Sequence, residues 1–267
     1  MNVVKDKIVD IHAHVFPEKI AKKAAKSTGR YYGIPMYSDG TVSSLLENGK
    51  KIGVYKYVVH STATKADQVQ SVNNFIASVQ KRNDAFIGFG TLHPDFDDIE
   101  GEVERILSLG LKGIKLHPDF QRFNIDDRYA MSIYEAIEDR LPLLIHMGDE
   151  RRTFSHPKRL AHILDIFPHL TVIAAHMGGY KMWDESMEYL VGRDIYFDTS
   201  STLMFLNNDK VVEMIRTHGS EKVFFGVDYP MWSHEEELKR LCSLGLSDDE
   251  LELILWKNAH RCFNTWL

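Results

Sequence analysis

Cysteine is nearly absent from this chain. Only Cys242 and Cys262 occur among 267 residues, and they stand in no metal-type spacing, which excludes a disulfide scaffold and a thiolate metal centre. Long apolar runs are missing too: none approaches the roughly 18 residues that a membrane span needs. The start, Met1 to Lys7, is short and polar, so no targeting leader is expected. Basic runs are also lacking. Lys and Arg total 32 against 38 for Asp and Glu, a formal charge of −6, which argues against a nucleic-acid partner. No linker or low-complexity stretch divides the sequence, so one domain spanning residues 1–267 is expected. A glycine-rich phosphate loop does not follow the first β-like run; His12-Ala13-His14 stands there instead.

What the chain does contain is the composition of a globular protein, with 44% apolar and 26% charged residues, and thirteen histidines. Eight β-rich runs recur at intervals of about 20 to 30 residues, with helix-like periodicity between them. They are Lys7–Ile11, Val54–His60, Phe86–Leu92, Gly113–His117, Pro142–His146, Leu170–His176, Asp194–Asp198 and Lys222–Asp228. Amphipathic helices are predicted around Val103–Leu109, Met131–Ile137 and Leu160–Phe167. Ser247-Asp248-Asp249-Glu250 has the capping-box form before a last helix. Eight strands alternating with helices over about 250 residues suit a (β/α)8 TIM barrel. An open doubly wound sheet is the competitor, and the missing phosphate loop weighs against it. The connection between the first two strands, about 40 residues long, would arch over the barrel mouth as a loop.

The ends of the strands are rich in titratable groups: His12 and His14, His60, His93, Lys115 and His117, His146, His176, Asp198 and Asp228. On a barrel such ends gather at one face, and buried titratable groups are costly without a purpose. Residues i and i+2 of an extended chain point the same way, so His12 and His14 can reach one ion. His146 and Asp228 supply the third and fourth ligands, a donor set suited to Zn2+ and also to Mn2+, Fe2+ or Ni2+.

The motifs Val9-Asp10-Ile11-His12-Ala13-His14, Gly113-Ile114-Lys115-Leu116-His117-Pro118 and Leu141-Pro142-Leu143-Leu144-Ile145-His146 follow one another in order. Ala175-His176-Met177-Gly178-Gly179 and Phe225-Gly226-Val227-Asp228-Tyr229-Pro230 complete the series. In this the chain resembles the amidohydrolase superfamily, in the amidohydrolase-related branch that includes relatives of aminocarboxymuconate-semialdehyde decarboxylase. The resemblance implies a metal-dependent enzyme with His12, His14, His146 and Asp228 as ligands of one divalent ion, expected to be Zn2+. It makes Asp228 a proton acceptor, and His176 either a ligand of a second metal or a group that polarises substrate and orients the metal-bound water. Lys115 has two readings, a carboxylated lysine bridging two ions as in binuclear relatives, or a substrate-binding lysine beside a single ion; a single ion is the expectation.

Arg151, Arg152 and Arg30 are candidates for holding a substrate carboxylate, since a guanidinium matches its geometry. Lys115, His117, Arg151 and Trp232 form the expected substrate-binding set, and Asp198 a partner for a ligand. His156, His162, His169, His218, His234 and His260 read as surface or packing residues, and Trp183, Trp256 and Trp266 as core or interface residues. The expected function is hydrolysis of an amide, lactone or ester-like bond in a small polar, carboxylated substrate through metal-activated water. The alternative on the same scaffold is a lyase, a nonoxidative decarboxylase of an aromatic or unsaturated acid. A TatD-like deoxyribonuclease is disfavoured by the charge and by the absence of a strand-four glutamate, and a catalytically silent binding protein by the intact histidine and aspartate set. A cytoplasmic location, a small-molecule substrate, no nucleic acid or membrane partner and a homodimer through Met204-Phe205-Leu206 complete the expectations.

Overall fold

The structure is a computed structural model that describes residues 7–263; Met1 to Asp6 and Trp266 lie outside the described residues. In chain order the elements are β1 (Ile8–His14), α1 (Glu18–Tyr32), α2 (Val42–Lys50), β2 (Val54–His60), α3 (Val69–Arg82), β3 (Phe86–Gly90), α4 (Ile99–Ser108) and β4 (Gly113–Leu116). Then follow α5 (Pro118–Gln121), α6 (Met131–Ile137), β5 (Leu143–Ile145), α7 (Pro157–Ile166), β6 (Val172–Ala174), α8 (Trp183–Tyr189), β7 (Tyr196–Asp198), α9 (Asn208–His218) and β8 (Val223–Phe224). The helices α10 (His234–Cys242), α11 (Asp248–Glu252) and α12 (Asn258–Cys262) end the chain. The strands form one sheet ordered β1 to β8 in sequence, a (β/α)8 TIM barrel. The capping box forms at Ser247 as its sequence requires, with both reciprocal hydrogen bonds to Glu250.

Two segments depart from the sequence expectation. The first connection is not a bare loop, because it folds into α1 and α2. Ala21, Ala25 and Gly29 recur every four residues and make a small buried stripe on α1, and Thr41 caps α2 by accepting from Ser44 N at 3.3 Å. The eighth strand is much shorter than Lys222–Asp228. From Phe225 onward each amide leaves the ladder for a separate acceptor: Ile254 O (2.9 Å), Thr199 Oγ1 (3.2 Å), Asp10 Oδ1 (3.0 Å) and His12 O (2.9 Å).

The described residues fall into two compact units. The first comprises residues 7–60, Val79–Ile87 and residues 199–263, and the second Ser61–Ser78 and Gly88–Asp198. In the first unit β1 pairs in parallel with β2, with His14 opposite His60. The residues after β8 return to β1: Ile11 N donates to Phe225 O at 3.1 Å and His14 N to Tyr229 O at 2.8 Å. In the second unit β4, β5, β6 and β7 pair in parallel and are wholly buried apart from Tyr196, as fits the continuous apolar runs of this sheet type.

Gly113 opens β4 opposite Phe89, and a Cβ there would lie 2.5 Å from two ring carbons of that fully buried side chain. The site has no slack, so overpacking outweighs the entropy an alanine normally saves. Gly113→Ala is expected to lower unfolding free energy by about 1–3 kcal/mol, measured by urea denaturation.

Candidate active site

In the first unit the end of β1 and the turn after β8 bring three donor atoms together. His12 Nε2 and His14 Nε2 are 3.3 Å apart, and Asp228 Oδ1 lies 3.5 Å from the first and 3.4 Å from the second. Ligands about 2.1 Å from a tetrahedral cation stand about 3.4 Å from one another, so this near-equilateral triangle fits one face of such a site. The two rings are tilted by 48°, which lets their in-plane lone pairs converge. His12 Nδ1 stands 3.1 Å from Ser200 Oγ. With the proton on Nδ1 donated to that hydroxyl, Nε2 keeps its lone pair for a cation.

His60 sits at the end of β2 with its ring centroid 4.4 Å from His14 and 5.0 Å from His12. Its ligand atoms also gather with theirs, within 4.8 Å, so the histidine cluster of this unit is larger than the ligand pair read from sequence.

Asp228 is held at both carboxylate oxygens. Oδ1 faces the histidines, while Oδ2 accepts from Ser201 Oγ at 2.5 Å, and Ser201 Oγ in turn accepts from Trp232 Nε1 at 2.8 Å. An indole N–H can only donate, so the serine proton points away from it; of its two acceptors the carboxylate, at 2.5 Å, is closer and stronger than the Met231 sulfur at 3.7 Å. Trp232, read as a substrate-binding residue, is therefore also a support of Asp228. Both Asp228 (φ 60°) and Ser201 (φ 50°) adopt left-handed backbone, strain of the kind that persists where neighbours over-determine a site.

In the second unit His117, His146 and His176 lie together. His146 Nε2 donates to Gly148 O at 2.9 Å, which leaves the Nδ1 lone pair facing His176 Nε2, 2.9 Å away. His176 has φ 61°, and its carbonyl accepts from Trp183 Nε1 at 3.0 Å. His117 is stacked between Phe120 and His146, 3.9 Å from the His146 ring and within 8° of parallel. Its Nδ1 accepts from Phe120 N at 3.4 Å. His117, Asp119 and His146 have donor atoms within 4.8 Å of one another. Stacked rings, however, hold their lone pairs in parallel planes, so one ion cannot lie in both; this trio is a weaker cation site than the β1 triangle.

Asp119 is buried, accepts from Ser155 Oγ through Oδ2, and approaches His146 Nε2 at 3.7 Å. Burial pushes its carboxyl up to about 6, aided by the Asp149 charge and opposed by the Ser155 hydrogen bond. Arg151 grips the buried Asp149 bidentately, Nε to Oδ1 and a terminal nitrogen to Oδ2, both 2.8 Å. Lys115 lies fully buried on β4. His93 accepts from Asp95 N at 3.2 Å, and burial lowers its pKa. Asp198 Oδ1 accepts from His176 N at 3.0 Å, so its partner is the backbone of a site histidine.

Sequence reading passed over Ser200, Ser201, Asp119 and Asp149. A signal for the serines existed: Thr199-Ser200-Ser201-Thr202 is an unbroken hydroxyl run at a strand end, and all four are buried.

Glu237, on α10 of the first unit, is buried with Arg240 on Oε1 at 2.8 Å. Burial raises its carboxyl from 4.5 to about 7 despite Arg240, and the charges of Glu236 and Asp228 add to the rise. A folded-state pKa above the unfolded one means that this group's stabilising contribution is full below 4.5 and is lost as pH rises through about 7. Glu237→Gln is expected to flatten that part of the stability–pH curve, read from melting temperatures between pH 4.5 and 8.

Residues 9–265 match the amidohydrolase family model. No curated protein matches the chain. Among solved structures the chain is similar to 5-carboxyvanillate decarboxylase from Sphingomonas paucimobilis, with TM-score 0.75, 17% identity and coverage of 97% of this chain and 99% of that one. It is similar to a dihydroxybenzoic acid decarboxylase from a Polaromonas species, bound to manganese and 2-nitroresorcinol, with TM-score 0.75, 16% identity and 97% of each chain covered. It is similar, too, to a probable 2-pyrone-4,6-dicarboxylic acid hydrolase from Acinetobacter baumannii with citric acid bound, with TM-score 0.71, 18% identity and 97% and 99% covered. At these identities the likeness is one of fold. The family match spans nearly the whole chain, and the protein therefore belongs to the amidohydrolase family of enzymes.

Proposed function

We propose that this chain is a divalent-cation-dependent hydrolase acting on an amide, lactone or ester-like bond of a small carboxylated molecule. The observation that carries the reading is the triangle of His12 Nε2, His14 Nε2 and Asp228 Oδ1, with sides of 3.3 to 3.5 Å. A divalent cation held there supplies a Lewis acid that polarises substrate and makes water a nucleophile near neutral pH. Zinc is the expected ion, and manganese, bound in one structural neighbour, suits the same donors.

The protein's own contribution centres on Asp228. Its Oδ2, steadied by Ser201, takes the proton of the attacking water and returns it to the leaving group. The roles that the family resemblance gives to His146, a ligand, and His176, a polarising donor, belong to this proposal, as do Lys115 and His117 as substrate contacts. A carboxylated substrate is supported by the neighbours' names, since all three are described as acting on carboxylic acids. The same names favour a second reading. Two neighbours are decarboxylases, and a lyase would return a proton to the substrate carbon where the hydrolase protonates a leaving group.

Elemental analysis of protein purified without chelator is expected to find about one transition metal per chain, lost in His12→Ala. Two equivalents would favour the bridging reading of Lys115. Turnover of lactone dicarboxylates and aromatic acids in 18O-labelled water separates the reactions: label in the organic product supports hydrolysis, and CO2 release with an unlabelled organic product supports the lyase. Asp228→Asn is expected to cut turnover by about 10²- to 10⁴-fold, and wild-type turnover would remove its proton-transfer role.

A further inference from the structure

A buried carboxylate that the proposed chemistry does not use lies against the backbone of the cation ligands. Asp10 is wholly buried, and its Oδ1 accepts from His12 N and from Val227 N, each at 3.0 Å. One amide belongs to a proposed ligand on β1, and the other immediately precedes the proposed ligand Asp228. A single oxygen atom thus spaces the two backbones that carry the triangle. Backbone N–H groups only donate, so Oδ1 accepts both and the carboxylate plane is set by them.

The second oxygen is also committed. Oδ2 accepts from His234 Nε2 at 3.0 Å, and neither side chain is exposed. His234 is the first residue of α10, and its Nδ1 is buried with no hydrogen-bond partner among the described residues. Burying a carboxylate and an imidazole together is costly unless their bonds fix something. The sequence alone marks Asp10 only as part of the histidine motif, and it places His234 among packing residues.

We propose that Asp10 and His234 are positioning residues. The Asp10 carboxylate spaces His12 and Asp228 for cation binding, and His234 holds that carboxylate in orientation from α10. This rests on the cation-site reading above, and neither residue touches the reacting atoms.

The test titrates Mn2+ into the full-length chain, stripped of metal beforehand. In Asp10→Ala and His234→Phe the Kd for Mn2+ is expected to rise about 10- to 100-fold, the usual cost of losing a group that orients ligands. Asp10→Asn keeps an oxygen for both amides and is expected to restore most of the affinity. Its Nδ2 can only donate, so the His234 proton should move to Nδ1, visible in the imidazole 15N shifts. A purely structural role would lower the melting temperature of the variants and leave Mn2+ affinity unchanged, and that result overturns the proposal. Should Asp10→Ala not fold, His234→Phe, with Asp10 in place, decides. A wild-type chain that takes up no Mn2+ overturns the cation-site reading instead. Amide exchange then judges the clamp by itself: slow exchange at His12 and Val227 that is lost in Asp10→Ala upholds it, and equal exchange in both overturns it.

Discussion

Four consecutive backbone amides, Phe225 to Asp228, lie in the interior, where each must find an acceptor that water cannot supply. They find four different ones, and two of these, Asp10 Oδ1 and His12 O, belong to β1. That requirement decides the course of the chain beyond β8. It ends the regular ladder at Phe224, turns Asp228 into a left-handed conformation and seats its carboxylate beside the two β1 histidines. The strain at Asp228 persists because its amide, its carbonyl and both carboxylate oxygens are engaged: the carbonyl accepts from Met231 N at 2.8 Å, and Ser201 holds Oδ2.

The two histidine clusters differ in what their ring planes permit. Around β1 the rings are tilted or nearly perpendicular to one another, and nitrogen lone pairs can aim at a common point. Around β5, His117 lies flat on His146, an arrangement that gains stacking contact and shields both faces but offers no shared point in plane. The two groups are alike in the spacing of their nitrogens and differ in orbital direction. His146 keeps its Nδ1 lone pair exposed to His176 because Gly148 O can accept only from Nε2–H, so a backbone carbonyl sets the tautomer of a side chain placed by the sheet.

Much of this was legible in the sequence, and the reasons can be traced to particular residues. The strands were readable because β-branched and apolar runs such as Val54–His60 are bounded by polar turns, and β2 has those limits. The pair His12 and His14 follows from the period of two in an extended chain, and Asp228 beside them from its place at the end of an eighth strand. The support around Asp228 was less accessible. Ser201 and Trp232 act through hydrogen bonds across 27 and 31 residues, and no local periodicity records a contact of that range. His234 misled for a related reason. It opens a helix whose first turn is acidic, the pattern of a solvated N-terminus, yet its ring turns inward to a carboxylate 224 residues away. The helix α1 escaped notice because its buried stripe is alanine and glycine, which carry little apolar signal, and α2 because it buries only Leu45 and Gly49.

The directed chain from Trp232 through Ser201 to Asp228 bears on how one scaffold serves two reactions. Because the indole only donates, Ser201 turns its hydroxyl towards Oδ2 of Asp228, which accepts that bond until it takes up a proton. A hydrolase uses such an oxygen to take a proton from water, and a lyase uses the same oxygen, once loaded, to return a proton to carbon. Neither demands a different arrangement of His12, His14 or Asp228. On the proposed reading the choice rests with the groups that decide which substrate bond is presented to that oxygen, not with the triangle of donor atoms. In this chain the polar side chains nearest that task by sequence are already engaged: Arg151 grips Asp149, and His117 lies stacked on His146 with its Nδ1 taken by Phe120 N. A substrate carboxylate bound by Arg151 would have to share or displace the Asp149 contact. Such an exchange ties recognition of an acid to the position of the loop after β5.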